Sequence, residues 1–133
     1  MLDTILYHTR KAIPSHIFRA LQPVYHWSMA FIGAIVYRFP SRHVNVVAVT
    51  GTKGKTSVTE IVNAILEEAG YRTALSNTIR FKIDTTSTNN LYKMSMPGRF
   101  FMQKFLRDAV RAKCDYVVME VTSQGALMKR NAF

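Results

Sequence analysis

A glycine-containing loop at positions 50–57 separates two hydrophobic segments whose periodicities differ. Before the loop, residues 44–49 form a β-branched apolar run of strand length, which is typical of a buried parallel strand. After the loop, apolar residues recur at spacings of three and four, the pattern of a helix with one face in the core. These residues are Val58, Ile61, Val62, Ile65, Leu66 and Ala69, and Gly70 follows as a C-terminal stop. The order strand, loop, helix predicts the first unit of an α/β domain.

The rest of the chain continues this alternation. Residues 72–76 are a second predicted strand, and an apolar pattern that begins near Pro97 predicts a second helix. A third strand is expected over residues 116–119, whereas residues 81–93 are polar and rich in Thr and Asn, so we expect a loop there. Strand, helix, strand, helix, strand in this order predicts a parallel sheet flanked by helices, with right-handed crossover connections.

The chain length sets an upper limit of one domain. Its 133 residues, 48% of them hydrophobic, can build one compact core and not two. Residues 1–43 differ in character from the rest, so we interpret them as a short hydrophobic and basic helical segment that precedes the α/β domain of residues 44–133. Pro40 and Ser41 mark the break between the two parts.

The N-terminal segment contains an apolar and aromatic stretch over residues 24–37, with arginines on both sides. The stretch is shorter than the about twenty apolar residues that span a bilayer. Two interpretations remain: a helix packed on the following domain, which we favour, and an interfacial helix in peripheral contact with a membrane. If the helix packs on the sheet, Trp27 should be shielded from solvent. Pro14 and Pro23 precede the stretch and argue against a cleaved signal peptide.

The charge balance favours polyanionic partners. Eighteen Lys and Arg against eight Asp and Glu give a formal net charge of +10, which suits nucleotides, nucleic acid or an anionic membrane surface. The basic residues are spread without a dense run, so we expect no nucleic-acid partner. Cys114 is the only cysteine, which rules out an internal disulfide and fits a cytoplasmic setting; we assign it no functional role.

The loop at positions 50–57 meets the requirements of a phosphate-binding loop, or P-loop. Such a loop needs inward-pointing backbone N–H groups, glycines where a side chain would block a phosphate, and a helix N-terminus behind it. Lys55 can reach the β- and γ-phosphates of ATP, and the Thr56 hydroxyl can ligate Mg²⁺. The general P-loop pattern has a glycine where this chain has Val49. The residues expected to bind ATP are Thr50, Gly51, Thr52, Lys53, Gly54, Lys55, Thr56 and Ser57. A glycine turn that binds nothing is the alternative.

Glu120 is the second candidate for chemistry, because it stands at the carboxyl end of the third predicted strand. Ligands of open α/β sheets bind at this edge, where a carboxylate can hold Mg²⁺ against phosphates. The alternative is an acid that is merely exposed beyond the strand end. Its distance from the loop distinguishes the two interpretations.

The loop resembles that of the Mur ligases, which add amino acids to UDP-N-acetylmuramoyl peptides during peptidoglycan synthesis. The resemblance rests on Thr-Gly-Thr-x-Gly-Lys-Thr at positions 50–56, where the second glycine is only three positions after the first. Folylpolyglutamate synthetases have a similar loop. Residues 119–124, followed by Arg130, are similar to the tripeptide-forming branch of the Mur ligases. The resemblance extends from about residue 44 to residue 130.

The resemblance implies an ATP-dependent carbon–nitrogen ligase with ATP and Mg²⁺ as cofactors. It implies catalytic roles for Lys55 and Glu120, with Thr56 and Glu120 as the metal ligands. A UDP-N-acetylmuramoyl peptide and an amino acid would be the substrates, and the reaction would pass through an acyl phosphate. The residues implied in contact with the UDP-muramoyl substrate are Ser95, Thr122 and Arg130.

Departures from the family pattern affect the substrate side. Gln124 stands where the family has a histidine, Met128 where it has a glutamine, and residues 95–97 read Ser-Met-Pro instead of Thr-Thr-Pro. Residues 1–43 show no counterpart of the family's UDP-binding domain, and the family's later motifs have no counterpart before Phe133. We therefore expect an incomplete domain without ligase turnover on its own. A folylpolyglutamate synthetase-like ligase and a membrane-associated nucleotide-binding module remain open as alternatives.

Overall fold

The protein is described from a computed structural model that covers residues 15–127, with side chains from residue 22 onward. The helices are α1 (Ser15–Val36), α2 (Lys55–Glu68), α3 (Arg99–Arg111) and α4 (Ser123–Leu127), with a 3-10 turn at Pro40–Arg42. The strands are β1 (Asn45–Val49), β2 (Thr73–Ser76), β3 (Arg80–Ile83), β4 (Thr86–Asn89) and β5 (Tyr116–Glu120). The three strands and two helices predicted for the α/β unit are all present.

The five strands form one sheet in the order β1-β5-β2-β3-β4. Strand β5 lies between β1 and β2 and pairs with both in parallel. The register places Val49 opposite Glu120, and Ser76 opposite Met119. The carboxyl ends of the three parallel strands therefore meet at one edge, the edge where open α/β sheets bind ligands.

The predicted parallel pairing is correct for the three predicted strands, β1, β5 and β2. The structure has two more strands, β3 and β4, which were not predicted and which pair antiparallel. Residues 81–93 were expected to be a loop, yet they contain most of an antiparallel hairpin in which β3 pairs with β2 and β4 pairs with β3. Every residue of β4 is exposed, so its polar sequence shows no alternation between core and solvent. Asp84, at the turn, adopts a left-handed φ of 53°. The sheet is therefore mixed.

The burial of α2 and of β1 also differs from what the sequence predicted. Strand β1 lies at the edge of the sheet and is only partly buried, so the prediction of a buried strand is wrong. Of the apolar stripe of α2, Ile61 and Ile65 are 58% and 62% exposed, whereas Thr59 and Asn63 are buried. Helix α2 packs on β2 and β5 with this polar side. Of its apolar stripe, Val58, Ile61 and Ile65 face away from the described part of the chain, whereas Val62 and Leu66 are partly buried.

The core lies between the sheet and α3. Helix α3 begins at Arg99, two residues after Pro97, and buries an amphipathic face against strands β2 and β5. Cys114 is buried at the end of α3, and burial raises the pKa of its thiol. Cys114 therefore has the buried environment of a structural cysteine, as the sequence indicated. The buried residues of α3 are Met102, Gln103, Phe105, Leu106 and Ala109.

Helix α1 packs on α3 through small residues. Ala30 and Ala34 are almost fully buried, and a Cβ added to Gly33 would lie 3.6 Å from the side chain of Gln103. The helix therefore packs on another helix and not on the sheet. Trp27 is 49% exposed, so the expectation that it is shielded is wrong. Among the described residues, no helix is both long and apolar enough to cross a bilayer.

Candidate nucleotide-binding site

The loop after β1 has the backbone conformation of a tight connection into a helix. Gly51 has a φ of 156° and Gly54 a φ of 75°, values that side-chain-bearing residues rarely adopt. Gly54 immediately precedes α2, and no side chain caps the first turn of that helix. Residues 51–54 are exposed. The free N–H groups and the positive end of the helix dipole are thus open to an anion.

Lys55 lies across this loop. Its Nζ donates a hydrogen bond of 2.9 Å to the carbonyl oxygen of Gly51 and lies 3.9 Å from Oε1 of Glu120. The ammonium group therefore stands between the loop and the strand edge. A lysine whose partners here are one carbonyl and one carboxylate can turn toward a phosphate at small cost.

Glu120 is the last residue of β5, and it lies beneath the loop. It is 4% exposed, so it is not an acid that extends into solvent beyond the strand. Its Oε2 accepts a hydrogen bond of 2.9 Å from the hydroxyl of Thr56, the second residue of α2. The parallel register places β1 and β5 side by side, which brings the helix that follows β1 over the end of β5. The two predicted metal ligands are therefore neighbours.

Thr78 completes the surroundings of Glu120. Its backbone N–H and its hydroxyl donate to Oε2 of Glu120 at 3.3 and 3.1 Å, and its hydroxyl shares a hydrogen bond of 2.7 Å with Ser95. Burial raises the pKa of the Glu120 carboxyl, but hydrogen bonds from Thr56, Ser95 and Thr78 outweigh it, so the pKa lies below its usual value. The carboxylate is ionised at neutral pH.

Sequence reasoning missed Thr78. It follows β2, and a parallel neighbour of β5 must deliver its next residues to the same edge as Glu120. That rule could have identified it, but the order of strands in the sheet could not be read from the sequence. A polar residue just beyond a predicted strand is otherwise unremarkable, because such residues are common in turns.

The turn that carries Thr78 is held by a polar network. Asn77 is fully buried; its Oδ1 accepts hydrogen bonds of 2.9 Å from the backbone N–H groups of residues 79 and 80, and its Nδ2 donates to Glu60. Arg80 forms an ion pair with the same carboxylate at 2.6 Å. The hydrogen bond from Arg80 lowers the pKa of Glu60 more than burial raises it. This network ties α2 to β3 and fixes the position of Thr78.

Two of the three predicted substrate residues, Ser95 and Thr122, lie near Thr78, which contacts Glu120. Ser95 and Thr122 line a cavity of about 240 Å³, together with Thr78 and Gln124. The Thr122 hydroxyl accepts a hydrogen bond of 3.1 Å from the backbone N–H of Gly125, at the start of α4. The structure thus brings Ser95, Thr122 and Glu120 into one region. Arg130 and Met128 lie outside the described residues.

The donor set at Glu120 suits Mg²⁺. Thr56 and Glu120 offer hydroxyl and carboxylate oxygens, the ligands that this hard cation prefers. Over residues 15–127 no group of three or more His, Cys, Asp or Glu side chains could hold a metal without other ligands. Mg²⁺ usually keeps several waters and takes phosphate oxygens in addition to one or two protein ligands, so two oxygens are sufficient.

The loop, the buried carboxylate and the mixed sheet agree with one known family. The model of the Mur ligase middle domain matches residues 49–132, well over half of the chain. The chain belongs to the Mur ligase family. The match includes the loop after Val49 and the strand that ends at Glu120.

Curated Mur ligase relatives have similar sequences over most of this chain. A UDP-N-acetylmuramoyl-L-alanyl-D-glutamate--2,6-diaminopimelate ligase of Syntrophomonas wolfei is 36% identical over 79% of this chain and 21% of its own length. A UDP-N-acetylmuramyl-tripeptide synthetase of Roseiflexus sp. is 36% identical over 78% of this chain and 20% of its own. This Mur ligase chain therefore spans about a fifth of the length of these relatives.

A solved structure shows the same fold. The structure of a UDP-N-acetylmuramoyl-L-alanyl-D-glutamate--2,6-diaminopimelate ligase matches with a TM-score of 0.61 at 20% sequence identity. The match covers 74% of this chain and 20% of that one. The mixed α/β sheet flanked by helices is thus a Mur ligase architecture.

Proposed function

We propose that this chain is the ATP-binding portion of a ligase that joins an amino acid to a UDP-N-acetylmuramoyl peptide in peptidoglycan precursor synthesis. The observation that supports it most is the position of Glu120. This buried carboxylate is hydrogen-bonded to Thr56 and lies within ion-pair distance of Lys55, directly beneath an uncapped helix N-terminus. A carboxylate, a cation and free N–H groups at the carboxyl edge of a parallel sheet suit the phosphates of ATP and their Mg²⁺.

The loop and Lys55 would bind the triphosphate. The exposed N–H groups of residues 51–54 can donate to phosphate oxygens, with the helix dipole adding to the attraction. Lys55 would exchange its hydrogen bond with the carbonyl oxygen of Gly51 for the β- and γ-phosphates. There it would stabilise the negative charge that develops during phosphoryl transfer.

Thr56 and Glu120 would hold Mg²⁺. When bound, this ion neutralises charge on the phosphates. Thr78 and Ser95 would orient the Glu120 carboxylate through the hydrogen bonds already present. Because Glu120 is buried and ionised, its attraction for a cation is stronger than that of an exposed acid.

The reaction that fits this site is a two-step ligation. A carboxylate oxygen of the muramoyl peptide attacks the γ-phosphorus of ATP, the bond to the bridging oxygen breaks, and ADP leaves. The amine of the amino acid then attacks the acyl carbon, the nitrogen loses a proton to solvent, and phosphate leaves with the former carboxylate oxygen. In this proposal Ser95, Thr122 and Arg130 contact the UDP-muramoyl peptide, and the cavity beside Glu120 supports that role for the first two.

Two further parts of the proposal concern setting and completeness. The reaction belongs in the cytoplasm, where ATP is available, and it needs no nucleic-acid partner. Because the chain spans about a fifth of its relatives' length, we propose that it has no ligase turnover alone. The relatives above are named for muramoyl-peptide substrates, which favours this function over a folylpolyglutamate synthetase.

Calorimetric titration with MgATP tests the proposal. The wild-type chain should bind, and Lys55→Ala should weaken binding at least about tenfold, because a charged donor to phosphate is lost. Lys104→Ala is the matched control, since it removes an exposed lysine on α3. Equal affinity for the wild type and Lys55→Ala, with both folded, would sink the assignment.

A further inference from the structure

Helix α1 has an exposed apolar face that the described domain leaves uncovered. Its inner side packs on α3 through Ala30, Gly33 and Ala34. Its opposite side, which we name the outer face, has large apolar side chains at helical spacing. These are Val24, Tyr25, Ile32, Ile35 and Val36, which are between 44% and 63% exposed. Ser28 interrupts this face, and its hydroxyl donates to the carbonyl oxygen of Tyr25. Five exposed large apolar side chains over three helical turns are nevertheless typical of a contact site.

Arginines cluster at the C-terminal end of the outer face. A cavity of about 330 Å³, the arginine cavity, is lined by Val36, Tyr37, Arg38, Arg107 and Arg111. Within the described residues, Arg38 and Arg107 form no ion pair, and Arg111 reaches only Asp108, at 3.7 Å. Val36 belongs to both the outer face and the arginine cavity. The apolar outer face therefore adjoins the positively charged arginine cavity.

The other exposed apolar helix face in the described chain has the opposite charge. On α2, Ile61 and Ile65 are exposed to a similar or greater extent than the isoleucines of α1. That helix contains Glu60, Glu67 and Glu68, and its only basic residue is Lys55 at its first position. Glu60 and Glu67 are paired with Arg80 and Lys82, and Glu68 is exposed, so α2 offers an anionic surface no excess of positive charge. Of these two described helix faces, the outer face of α1 is the one that combines apolar surface with an excess of positive charge.

We propose that the outer face of α1 and the arginine cavity dock on the surface of an anionic phospholipid bilayer. The apolar side chains enter the boundary between headgroups and acyl chains, and the arginines contact lipid phosphates. Tyr25 belongs to the outer face, and tyrosine is a residue type that favours the membrane–water interface. Because no described helix is long and apolar enough to cross a bilayer, the contact is peripheral.

Co-sedimentation with vesicles tests the docking. The full chain is mixed with vesicles of equimolar phosphatidylglycerol and phosphatidylcholine, or of phosphatidylcholine alone, at low and high salt. We expect most of a folded, monomeric sample in the pellet with the anionic vesicles at low salt, and a marked loss at high salt. The emission of Trp27, the only tryptophan, should shift to the blue on binding, because this half-exposed ring leaves water.

Two pairs of isoleucine variants distinguish binding through the outer face from non-specific hydrophobic binding. Ile32→Ser with Ile35→Ser should weaken vesicle binding at least about tenfold, whereas Ile61→Ser with Ile65→Ser on α2 should leave it unchanged. Both pairs replace exposed isoleucines, so neither should unfold the chain. Circular dichroism of each variant verifies that it is folded.

Two further pairs of variants test the contribution of charge. Arg107→Gln with Arg111→Gln should lower the partition coefficient about twenty-five-fold, since each arginine near an anionic surface contributes about fivefold. Lys53→Gln with Lys93→Gln changes the net charge equally at the opposite, carboxyl edge of the sheet and should have a much smaller effect.

Several results would overturn the proposal. A folded, monomeric sample that stays in the supernatant, or that binds neutral vesicles equally well, excludes an anionic bilayer as the partner. Equal losses in the α1 and α2 isoleucine pairs, or no loss in the arginine pair, exclude this surface. Self-association without vesicles that Ile32→Ser with Ile35→Ser abolishes would assign the outer face to a second copy of the chain.

Discussion

The hydroxyl of Thr56 donates a hydrogen bond of 2.9 Å to Oε2 of Glu120, although the two residues are 64 positions apart. The bond joins the first turn of α2 to the last residue of β5. It exists because β1 and β5 are parallel neighbours, so the helix after one strand begins above the end of the other. The two oxygen ligands that we propose for Mg²⁺ are thus adjacent in the chain without a nucleotide, which would lower the cost of ordering them on binding.

Replacing Glu120 by Gln should make ATP binding almost independent of Mg²⁺. The amide keeps the size of the side chain but removes the charge that attracts the ion, so affinity in the presence of Mg²⁺ should fall about tenfold or more. Calorimetric titrations with and without Mg²⁺ measure the effect. Glu68→Gln, an exposed glutamate at the end of α2, is the control. An unchanged Mg²⁺ dependence in Glu120→Gln would rule out this carboxylate as a ligand.

Thr78→Val should weaken both the fold and the ion site. Valine keeps the shape of threonine but removes the hydroxyl that bonds Glu120 and Ser95. The loss of hydrogen bonds to a buried carboxylate should lower the free energy of unfolding by about 1–3 kcal/mol. Urea denaturation measures the stability, and titration with MgATP measures the binding.

Thr78→Ser provides the control for that variant, because it restores the hydroxyl on a smaller side chain. It should recover most of the affinity for MgATP. If valine and serine variants bind MgATP as tightly as the wild type, Thr78 has no part in positioning Glu120.

The ion pair between Glu60 and Arg80 should make stability depend on pH. The pKa of Glu60 is lowered in the folded protein, chiefly by its hydrogen bond with Arg80. The contribution of Glu60 to the free energy of unfolding is therefore fully present above the pKa that Glu60 has in the unfolded chain. It is lost as the pH falls through the lower pKa that Glu60 has in the folded protein. Because both side chains are about one-third exposed, we expect a contribution of only about 1 kcal/mol at neutral pH.

Urea denaturation of the wild type and Glu60→Gln measures this contribution. The variant should be less stable at neutral pH, and the difference should shrink in acid. A difference that is constant from neutral to acidic pH would show that the charge of Glu60 is not what stabilises the turn at Thr78.

Gly125→Ala should disturb the loop beside the cavity. A Cβ at Gly125 would collide with the Met96 side chain and would lie 3.0 Å from the Thr122 hydroxyl oxygen. Overpacking at a buried position should cost about 1–3 kcal/mol of stability. Gly98→Ala is the control, because its φ of −179° suits any residue and a Cβ there meets nothing within 4 Å.

Thermal unfolding of the two alanine variants measures the difference. Adding Met96→Ala to Gly125→Ala should recover part of the loss, because it removes the atoms in collision. Equal stability of the two single variants would show that α4 can shift away from the loop without cost.

Local patterns were enough to predict the elements that carry the site. The strand before Thr50, the glycine loop and α2 follow from spacing and from the conformations that glycine permits, all between Asn45 and Glu68. The position of Glu120 at the end of an apolar strand was also readable, because a strand end is a local feature. What such a residue contacts is not local.

The hairpin and the orientation of α2 were not predictable in this way. Strand β4 is an exposed edge strand, so its polar residues show no period of two. The stripe of α2 indicated a helix correctly but indicated its buried face wrongly. The helix instead buries Thr59 and Asn63 on the sheet, where Thr59 accepts a hydrogen bond from Asn77.

The sequence by itself determined that a phosphate-binding loop is expected between a strand and a helix, because glycine conformations and hydrophobic periods are properties of neighbouring residues. Only the tertiary structure decided that Thr78 shares Glu120 with Thr56, since three segments far apart in sequence meet there. Their meeting depends on the order of strands in the sheet. That order depends on how the faces of the sheet and of the helices are buried against one another, which the sequence of a single segment does not determine.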